Sequence, residues 1–470
     1  GKTQFNTLQA NNNAGVQVQS GSAVQIFTAL ELKAGDFNAG NNLVTFRSIS
    51  TTEVGIINNF SAGFAGTMSG SIKAERYYDS PAAQSFSQHF MGSPVNAPSV
   101  SQFGATGVPG IVQPLNCWID SFAVGSPYGS MYEYVEANGT TCGVQVWNAL
   151  TSGTTVNGKG YSVARNGAGT LTLNGAPNLN TTYSVSGLGN TGYSNSASYA
   201  QTPPLTTVTI NSGWHLVANP YLADLNLTTH AANSAFDAQI QVWEATGPYA
   251  GTYRPRMTNS NAVLAPFQAF LVHKTAVGGS ATYNLYASDR TLAAATFYRQ
   301  ANQSELKLVA QNLTTGLLDE TYVAFNTDAS TQFDVEYDAN KVQGSNTRHT
   351  IYSVVNGTDY AINTLNNVEQ TSTVPVSMRP GADASFKFTV EGINTFDATQ
   401  YIYLEDKATG QMIDLRQNPE YTFNMNTTEA FDRFVLHFTP AAQFAAADAT
   451  CETQGTINVT QPGAASWNYT

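Results

Sequence analysis

The sequence predicts an all-β protein, and three observations lead to that class. Only 11% of its 470 residues are charged, and its polarity comes from Asn, Thr, Ser and Gln rather than from the helix-forming Lys and Glu. Apolar residues recur at every second position in many short segments, as in strands with one buried face. The hydrophobic share of 42% and the aromatic share of 11% exclude a disordered chain. We therefore predict tandem antiparallel β-sandwich or jelly-roll-like modules, preceded by a short β-solenoid or meander segment.

Residues 1–70 form that first segment. Val16 and Val18, then Val24 and Ile26, alternate on either side of a Ser-Gly turn, and the scheme returns at intervals of roughly ten residues. Strands at this spacing are typical of a small β-solenoid and also of a β-meander. Both architectures remain open from the sequence.

Residues 71–298 are predicted to form a β-rich domain that carries the segment GWHLVANPY. Long loops rich in Pro, Gly and Ser separate its readable strands, among them LTLNG, GWHLVA, IQVWEA and FQAFLVHK. One short helix is expected over LTTHAANSAFD, with Thr228 as its N-cap.

Residues 299–440 have the clearer pattern of a β-sandwich. Phe386, Phe388 and Val390 fall on one face of their strand, and similar alternation recurs at close intervals. Residues 441–470 are predicted to be a linker and the first strands of a further immunoglobulin-like module. An unfinished pair of strands at one end, and a start without Met or a signal-peptide pattern, lead us to expect a processed or partial product.

The charge balance restricts the partners. Twenty basic and 32 acidic residues give a net charge of −12, with no basic cluster to offset it. Such a surface repels phosphate backbones and anionic lipid, which excludes nucleic acid as a partner. No apolar run approaches the ~20 residues that span a membrane.

The three cysteines do not make a disulfide framework, so they leave the compartment open. Cys117 and Cys142 could form a disulfide, and two buried thiols are an equal alternative. Cys451 stands alone.

Sequence motifs of catalysis are absent. Residues 187–192 read Gly-Leu-Gly-Asn-Thr-Gly, but the helix that a dinucleotide site needs does not follow, so we predict a mobile loop. There is no Gly-x-Ser-x-Gly, His-Glu-x-x-His or Walker motif. The six histidines lack metal-ligand spacing, and His215, His273 and His437 are expected to point outward. We predict no catalytic residue, no cofactor site and no enzyme.

Asp334, Glu336 and Asp338 are the best metal candidates. In a strand, their alternation would place all three carboxylates on one face, and Ca²⁺ prefers oxygen ligands. The alternative is a solvated acidic strand end paired with Lys341 or Arg348. We favour this alternative, because no ligand-rich loop of fixed spacing is present.

The segment GWHLVANPYLADL, residues 213–225, predicts a strand that ends in a corner. Trp214 and Leu216 share a buried face, Pro220 removes an amide donor and ends the strand, and Asn219 can satisfy backbone groups there. Tyr221 is expected to pack with its hydroxyl at the rim.

This segment resembles the Trp-x-Leu-x-x-Asn-Pro-Tyr signature of large multi-domain surface proteins that Bacteroidota export by the type IX secretion system. GTMSGSIKAERYY, MGSPV, GKGYSV, LAPFQAFLVHK and DRFVLHFTP stand in the order that this family shows, and the resemblance covers most of residues 60–440. Ala218 replaces the usual Gly, and the family's sorting domain is not in the sequence. The resemblance implies export by the type IX machinery and an extracellular location at the cell surface.

These observations together favour a non-catalytic adhesin or structural surface subunit, with surface glycans or like subunits as candidate partners. One alternative is the carbohydrate-binding β-sandwich portion of an exported hydrolase, in which Trp147, Tyr249 or Tyr253 would stack on sugar rings. The other is a self-assembling filament or sheath subunit, whose Asn-rich first strand would pair with a neighbour's open edge.

Overall fold

The computed structural model describes residues 2–79, 87–104, 131–136, 147–165, 167–192, 194–197, 208–229, 235–259, 262–292, 304–342, 348–366, 373–439, 443–447 and 456–460. The regular structure is almost entirely β, which confirms the predicted all-β class. Helix in the described residues is limited to Glu136 and to the single turns Val100–Phe103, Leu227–Thr229, Ala287–Asp289 and Ile393–Thr395. No described helix is long and apolar enough to cross a membrane. All three cysteines lie outside the described residues.

The chain divides into two compact units, residues 1–197 with 209–299, and residues 198–208 with 300–470. The strands up to residue 292 are β1 (Lys2–Asn11), β2 (Val16–Gln17), β3 (Ala23–Ala34), β4 (Asp36–Phe46), β5 (Ile56–Asn58), β6 (Thr67–Tyr78), β7 (Ser87–Met91), β8 (Met131–Tyr134), β9 (Trp147–Ala149), β10 (Tyr161–Arg165), β11 (Gly169–Gly175), β12 (Thr182–Gly189), β13 (Ser194–Ala197), β14 (Val208–Asn211), β15 (Trp214–Ala218), β16 (Asp224–Asn226), β17 (Phe236–Glu244), β18 (Thr252–Met257), β19 (Val263–Leu264), β20 (Ala269–Lys274), β21 (Ser280–Tyr286) and β22 (Arg290–Thr291).

The first sheet has the order β1-β3-β4-β6-β11. Its pairs β1–β3, β3–β4 and β4–β6 are all parallel, and only β11 runs antiparallel to its neighbour. A meander pairs antiparallel strands, so these parallel pairs exclude the meander and agree with the solenoid alternative. The buried side chains Ile26, Val44 and Ile72 share one core with Val163 and Phe267, which lie far beyond residue 70. The predicted boundary at residue 70 falls inside β6.

The remaining sheets of the first unit are short. Their orders are β7-β10-β8-β9, β15-β20-β17-β18 and β19-β16-β22, with the further pairs β12–β21 and β13–β14. The expected helix over LTTHAANSAFD is wrong where the segment is described: Leu227–Thr229 is one helical turn and Phe236 already begins β17. Residues 230–234 lie outside the described residues. Phe236 lies in a strand and not in a helix because its side chain packs in the core beside Tyr283, at a ring-centroid distance of 5.1 Å.

The second unit contains one large sheet and the pair β34–β35. Its strands are β23 (Ser304–Asn312), β24 (Leu318–Phe325), β25 (Ala339–Asn340), β26 (Thr350–Val355), β27 (Thr358–Leu365), β28 (Thr373–Arg379), β29 (Ala384–Glu391), β30 (Tyr401–Asp406), β31 (Gln411–Asp414), β32 (Glu420–Met425), β33 (Phe434–Thr439), β34 (Gln443–Ala447) and β35 (Thr456–Thr460).

The large sheet runs β31-β30-β33-β28-β26-β27-β24-β23-β29-β32 and folds back on itself. Phe388 of β29 and Phe434 of β33 come from distant places in this order, yet their rings lie 4.8 Å apart. All its pairs are antiparallel except β24–β27, which is parallel. Phe386, Phe388 and Val390 are buried in one core, as period-two alternation requires.

Candidate functional site

The segment GWHLVANPYLADL forms a strand and a buried corner in the first unit. All five residues of β15 are buried, and β15 pairs antiparallel with β20, with Trp214 opposite His273 and Ala218 opposite Ala269. Asn219 follows the strand and is completely buried. Pro220 then supplies no amide donor, so the strand pairing stops at Asn219.

The Asn219 side chain satisfies the backbone at this corner. Its Nδ2 lies 2.8 Å from the carbonyl oxygen of Ala223 and 3.2 Å from the carbonyl oxygens of Leu264 and Ala265, to which it donates. Its Oδ1 accepts a hydrogen bond of 3.0 Å from the amide of Tyr221. One amide side chain therefore joins the corner to residues 264 and 265. The sequence predicts that Asn219 binds backbone groups here, but it does not predict which ones.

Tyr221 anchors the far side of the corner. Its hydroxyl lies 3.2 Å from the Asn180 carbonyl oxygen and 3.1 Å from that of Leu285, and the residue is 1% exposed. The expected hydroxyl at the rim is therefore wrong, because the hydroxyl finds its acceptors inside the core. Burial raises the pKa of Tyr221 above its usual value, and Arg290, 5.4 Å from the ring, partly opposes this.

Other segments that carry the family resemblance meet at the same corner. Gly92 of MGSPV packs so closely that an added Cβ would lie 2.2 Å from the Ala218 Cβ. The amide of Ala218 donates to the Gly158 carbonyl oxygen of GKGYSV at 2.7 Å, and the amide of Asn219 donates to Gln268 of LAPFQAFLVHK at 3.0 Å. Segments that are far apart in sequence thus build one packed junction.

His273 and Asp237 form a buried pair at the other end of β15, where His273 lies opposite Trp214. His273 Nδ1 lies 2.8 Å from Asp237 Oδ2, and His273 Nε2 lies 2.9 Å from the Ser212 carbonyl oxygen. His215 Nε2 lies 2.6 Å from the Gly189 carbonyl oxygen. The expected outward orientation of His215 and His273 is wrong, since they are only 8% and 9% exposed. His437 is partly exposed and contacts Glu405 at 2.8 Å.

The His273 pair does not have the geometry of a catalytic triad. A nucleophile must donate its hydrogen bond to a free ring nitrogen of the base. The two ring nitrogens of His273 instead lie against a carboxylate oxygen and a backbone carbonyl oxygen, and neither of these is the hydroxyl or thiol of a nucleophile. The Ser212 hydroxyl instead donates to Asn190 Oδ1 at 2.6 Å.

The Gly187–Gly192 segment is more ordered than the predicted loop. Its first three residues end β12, and Asn190 is buried, with its Nδ2 donating to the Lys274 carbonyl oxygen at 2.7 Å. Glu136 Oε1 accepts hydrogen bonds from the amides of Thr191 and Gly213 at 3.0 and 3.1 Å. The sequence did not single out Asn190 or Glu136, because their partners lie many residues away.

The acidic segment is a turn and not a strand, so the predicted single face of carboxylates is wrong. Asp338 is buried and accepts from the amides of Asp334 and Thr364 at 2.8 and 2.6 Å, while Glu336 is exposed. Across the described residues, no group of three His, Cys, Asp or Glu side chains is placed to hold a metal. Lys341 does not pair with these acids but with Asp319, at 2.8 Å, and Arg348 donates to the Leu318 carbonyl oxygen at 2.9 Å.

We expect the melting temperature to be the same in chelator and in millimolar Ca²⁺. The carboxylates of Asp334 and Asp338 already accept backbone amides, so binding a cation would have to break those hydrogen bonds. Calorimetry in both buffers, with Mg²⁺ as the matched control, checks this. A rise in melting temperature with Ca²⁺ alone would restore the calcium candidate.

Two of the aromatic residues expected to stack on sugars are buried. Trp147 is 3% exposed and Tyr253 is 1% exposed, and both pack on Phe90 at ring-centroid distances of 5.5 and 6.0 Å. The guanidinium of Arg254 lies 4.0 Å from the ring centroid of Tyr249. The stacking role predicted for Trp147 and Tyr253 is therefore wrong.

A family model described as Domain of unknown function (DUF8693) matches residues 116–438. Searches of curated proteins and of solved structures give no match. The matched range includes the corner at Asn219 and most of the large sheet of the second unit.

Proposed function

We propose that this chain, which belongs to the DUF8693 family of domains of unknown function, is a non-catalytic extracellular protein of the cell surface. It is exported as cargo of the type IX secretion machinery and acts as an adhesin or structural surface subunit. The observation that carries the proposal is the junction at Asn219. Segments of the export-family pattern pack there on one another, and their polar groups are used in hydrogen bonds of the fold.

The chemistry at the start of β15 supports a non-catalytic role. His273 has acceptors on both ring nitrogens, and Ser212 donates to Asn190 rather than to a base. A net charge of −12 with few charged residues gives a hydrophilic surface of mainly uncharged polar groups. Such a surface suits contact with other extracellular surfaces without strong repulsion.

Protease accessibility on intact cells tests the proposed location. In the native organism, the full-length protein is expected to be digested when proteinase K is added to intact cells, and to be protected when the type IX translocon is deleted. A periplasmic protein, which must stay protected in both strains, is the matched control. Protection of the chain in intact cells of the parent strain would contradict the proposal.

A further inference from the structure

One outer surface of the second unit has exposed and partly exposed aromatic and apolar side chains. We define the Tyr401 face as Tyr401, Tyr403, Glu405, Met412, Val435 and His437, which lie on the neighbouring strands β31, β30 and β33. Register places Tyr403 opposite His437, and Glu405 opposite both Val435 and Met412. The alternating residues Ile402, Leu404 and Leu436 are buried in the core, so the Tyr401 face is the other side of the sheet.

Two tyrosine rings dominate the Tyr401 face. The ring centroids of Tyr401 and Tyr403 lie 6.1 Å apart, and their planes differ by 23°. Tyr401 is 43% exposed and Met412 is 53% exposed. Large side chains that are this exposed to solvent stabilise the fold little. On a rigid sheet they offer a partner a preformed contact surface.

Hydrogen-bonding groups flank the two rings. His437 Nε2 lies 2.8 Å from Glu405 Oε2. Burial, together with the nearby carboxylate of Asp414 and the phenol of Tyr401, raises the pKa of Tyr403. The face therefore combines aromatic rings with a carboxylate, an imidazole and phenol hydroxyls.

These groups fit a neutral polysaccharide better than other occupants. Sugar rings present C–H groups that pack on aromatic rings, and hydroxyls that pair with carboxylate and imidazole groups. An anionic polymer would meet Glu405, Asp414 and a chain of net charge −12. A second copy in isologous contact would bring the same carboxylates together, and the apolar members are too few for a stable dimer interface.

We propose that the Tyr401 face binds neutral hexose polysaccharides by stacking on Tyr401 and Tyr403. This rests on the proposed function as an extracellular adhesin and names its ligand class. The Tyr401 face does not include Trp147, Tyr249 or Tyr253, the residues that are expected from the sequence to stack on sugars. It lies on the outer face of the second unit.

Affinity electrophoresis of the whole chain tests the proposal, with laminarin, dextran, mannan and hydroxyethylcellulose as separate probes. At least one probe is expected to retard the wild-type chain. Tyr401→Ala and Tyr403→Ala are each expected to weaken that binding about tenfold, and Tyr401→Phe to retain it because the ring remains. Leu313→Ala removes an equally open apolar side chain elsewhere in the second unit, at 46% exposure, and should bind as the wild type.

The proposal is overturned if none of the four polysaccharides retards the chain, or if the Tyr401→Ala/Tyr403→Ala double variant is retarded as strongly as the wild type. It is also overturned if sedimentation shows a dimer that this double variant dissociates, because the occupant would then be a second copy. Unchanged melting of the variants shows that they fold. Cell-surface exposure without polysaccharide binding would reject this inference and leave the proposed function standing.

Discussion

Replacing Asn219 with leucine is expected to destabilise the first unit by about 3–5 kcal/mol, because each buried polar group left without a partner costs about 1–3 kcal/mol. The leucine side chain fills the space but neither donates nor accepts hydrogen bonds. It leaves the Ala223, Leu264 and Ala265 carbonyl oxygens and the Tyr221 amide without this partner, at a position where the residue-219 side chain is completely buried. Urea unfolding followed by tryptophan fluorescence measures the loss, since Trp147, Trp214 and Trp243 all lie in the first unit.

Two variants control this experiment. Asn219→Asp keeps the shape of the side chain, but its carboxylate would face the same carbonyl oxygens without a proton to donate, so it should be as harmful as leucine. Asn6→Leu makes the same chemical change at an exposed position of β1 and should alter the unfolding free energy by no more than about 0.5 kcal/mol. A normal unfolding midpoint for Asn219→Leu would show that the corner does not depend on this side chain.

The corner also shows how far sequence reasoning reaches. Pro220 and Asn219 predict locally that a strand ends and that an amide side chain binds backbone groups. The partners at residues 264 and 265 could not be predicted, because they reach the corner through the pairing of β16 with β19, in which Leu225 lies opposite Leu264, and of β15 with β20. The rim position expected for the Tyr221 hydroxyl is wrong for the same reason, because its acceptors Asn180 and Leu285 are distant in sequence.

The outward orientations expected for His215 and His273 are wrong because period-two alternation separates inside from outside only when one face of a sheet meets solvent. Every residue of β15 and of β20 is buried, so both of their faces are covered. His215 and His273 are therefore enclosed even though they alternate with apolar neighbours. Each satisfies its ring with acceptors from other segments, such as Gly189, Ser212 and Asp237.

The strand predicted over Asp334, Glu336 and Asp338 is wrong for a local reason. Asp side chains compete with strand formation by binding nearby backbone amides. Asp338 accepts a hydrogen bond from the amide of Asp334, and Asp334 accepts one from the amide of Ser330, so the chain turns where alternation alone suggests a strand.

The solenoid and the meander predicted for residues 1–70 could not be separated from sequence, because the same spacing of strands is compatible with parallel and with antiparallel pairing.

Replacing Arg433 with methionine is expected to destabilise the second unit by about 3–5 kcal/mol, since it leaves a buried carboxylate unpaired. Arg433 donates to both carboxylate oxygens of Asp406, with Nε–Oδ1 and Nη2–Oδ2 distances of 2.7 Å. The Tyr421 hydroxyl adds a hydrogen bond of 2.8 Å to Asp406 Oδ2, so the pair joins β30 to β32 across the fold. Asp406 is 0% exposed, and water cannot replace the lost partner.

Calorimetry between pH 2 and pH 7 measures how the stabilities of the wild type and of Arg433→Met depend on pH. Burial alone would raise the pKa of Asp406, but the hydrogen bonds from Arg433 and Tyr421 outweigh burial and lower it to about 2. The wild type therefore has the full stabilisation above the unfolded pKa of about 3.9, and loses it as pH falls towards 2. Arg433→Met should instead gain relative stability in acid, because protonation removes its unpaired charge. The difference between the two proteins is then largest near pH 7.

The Asp406→Leu/Arg433→Met double variant separates the pair from the packing around it. Removing both charges leaves no buried ion without a partner, so the double variant should recover most of the stability that Arg433→Met loses. Lys407→Met, which breaks the exposed contact with Asp432 at 3.0 Å, is the matched control and should cost no more than about 1 kcal/mol. If the double variant is less stable than Arg433→Met at pH 7, the carboxylate is not the source of the loss.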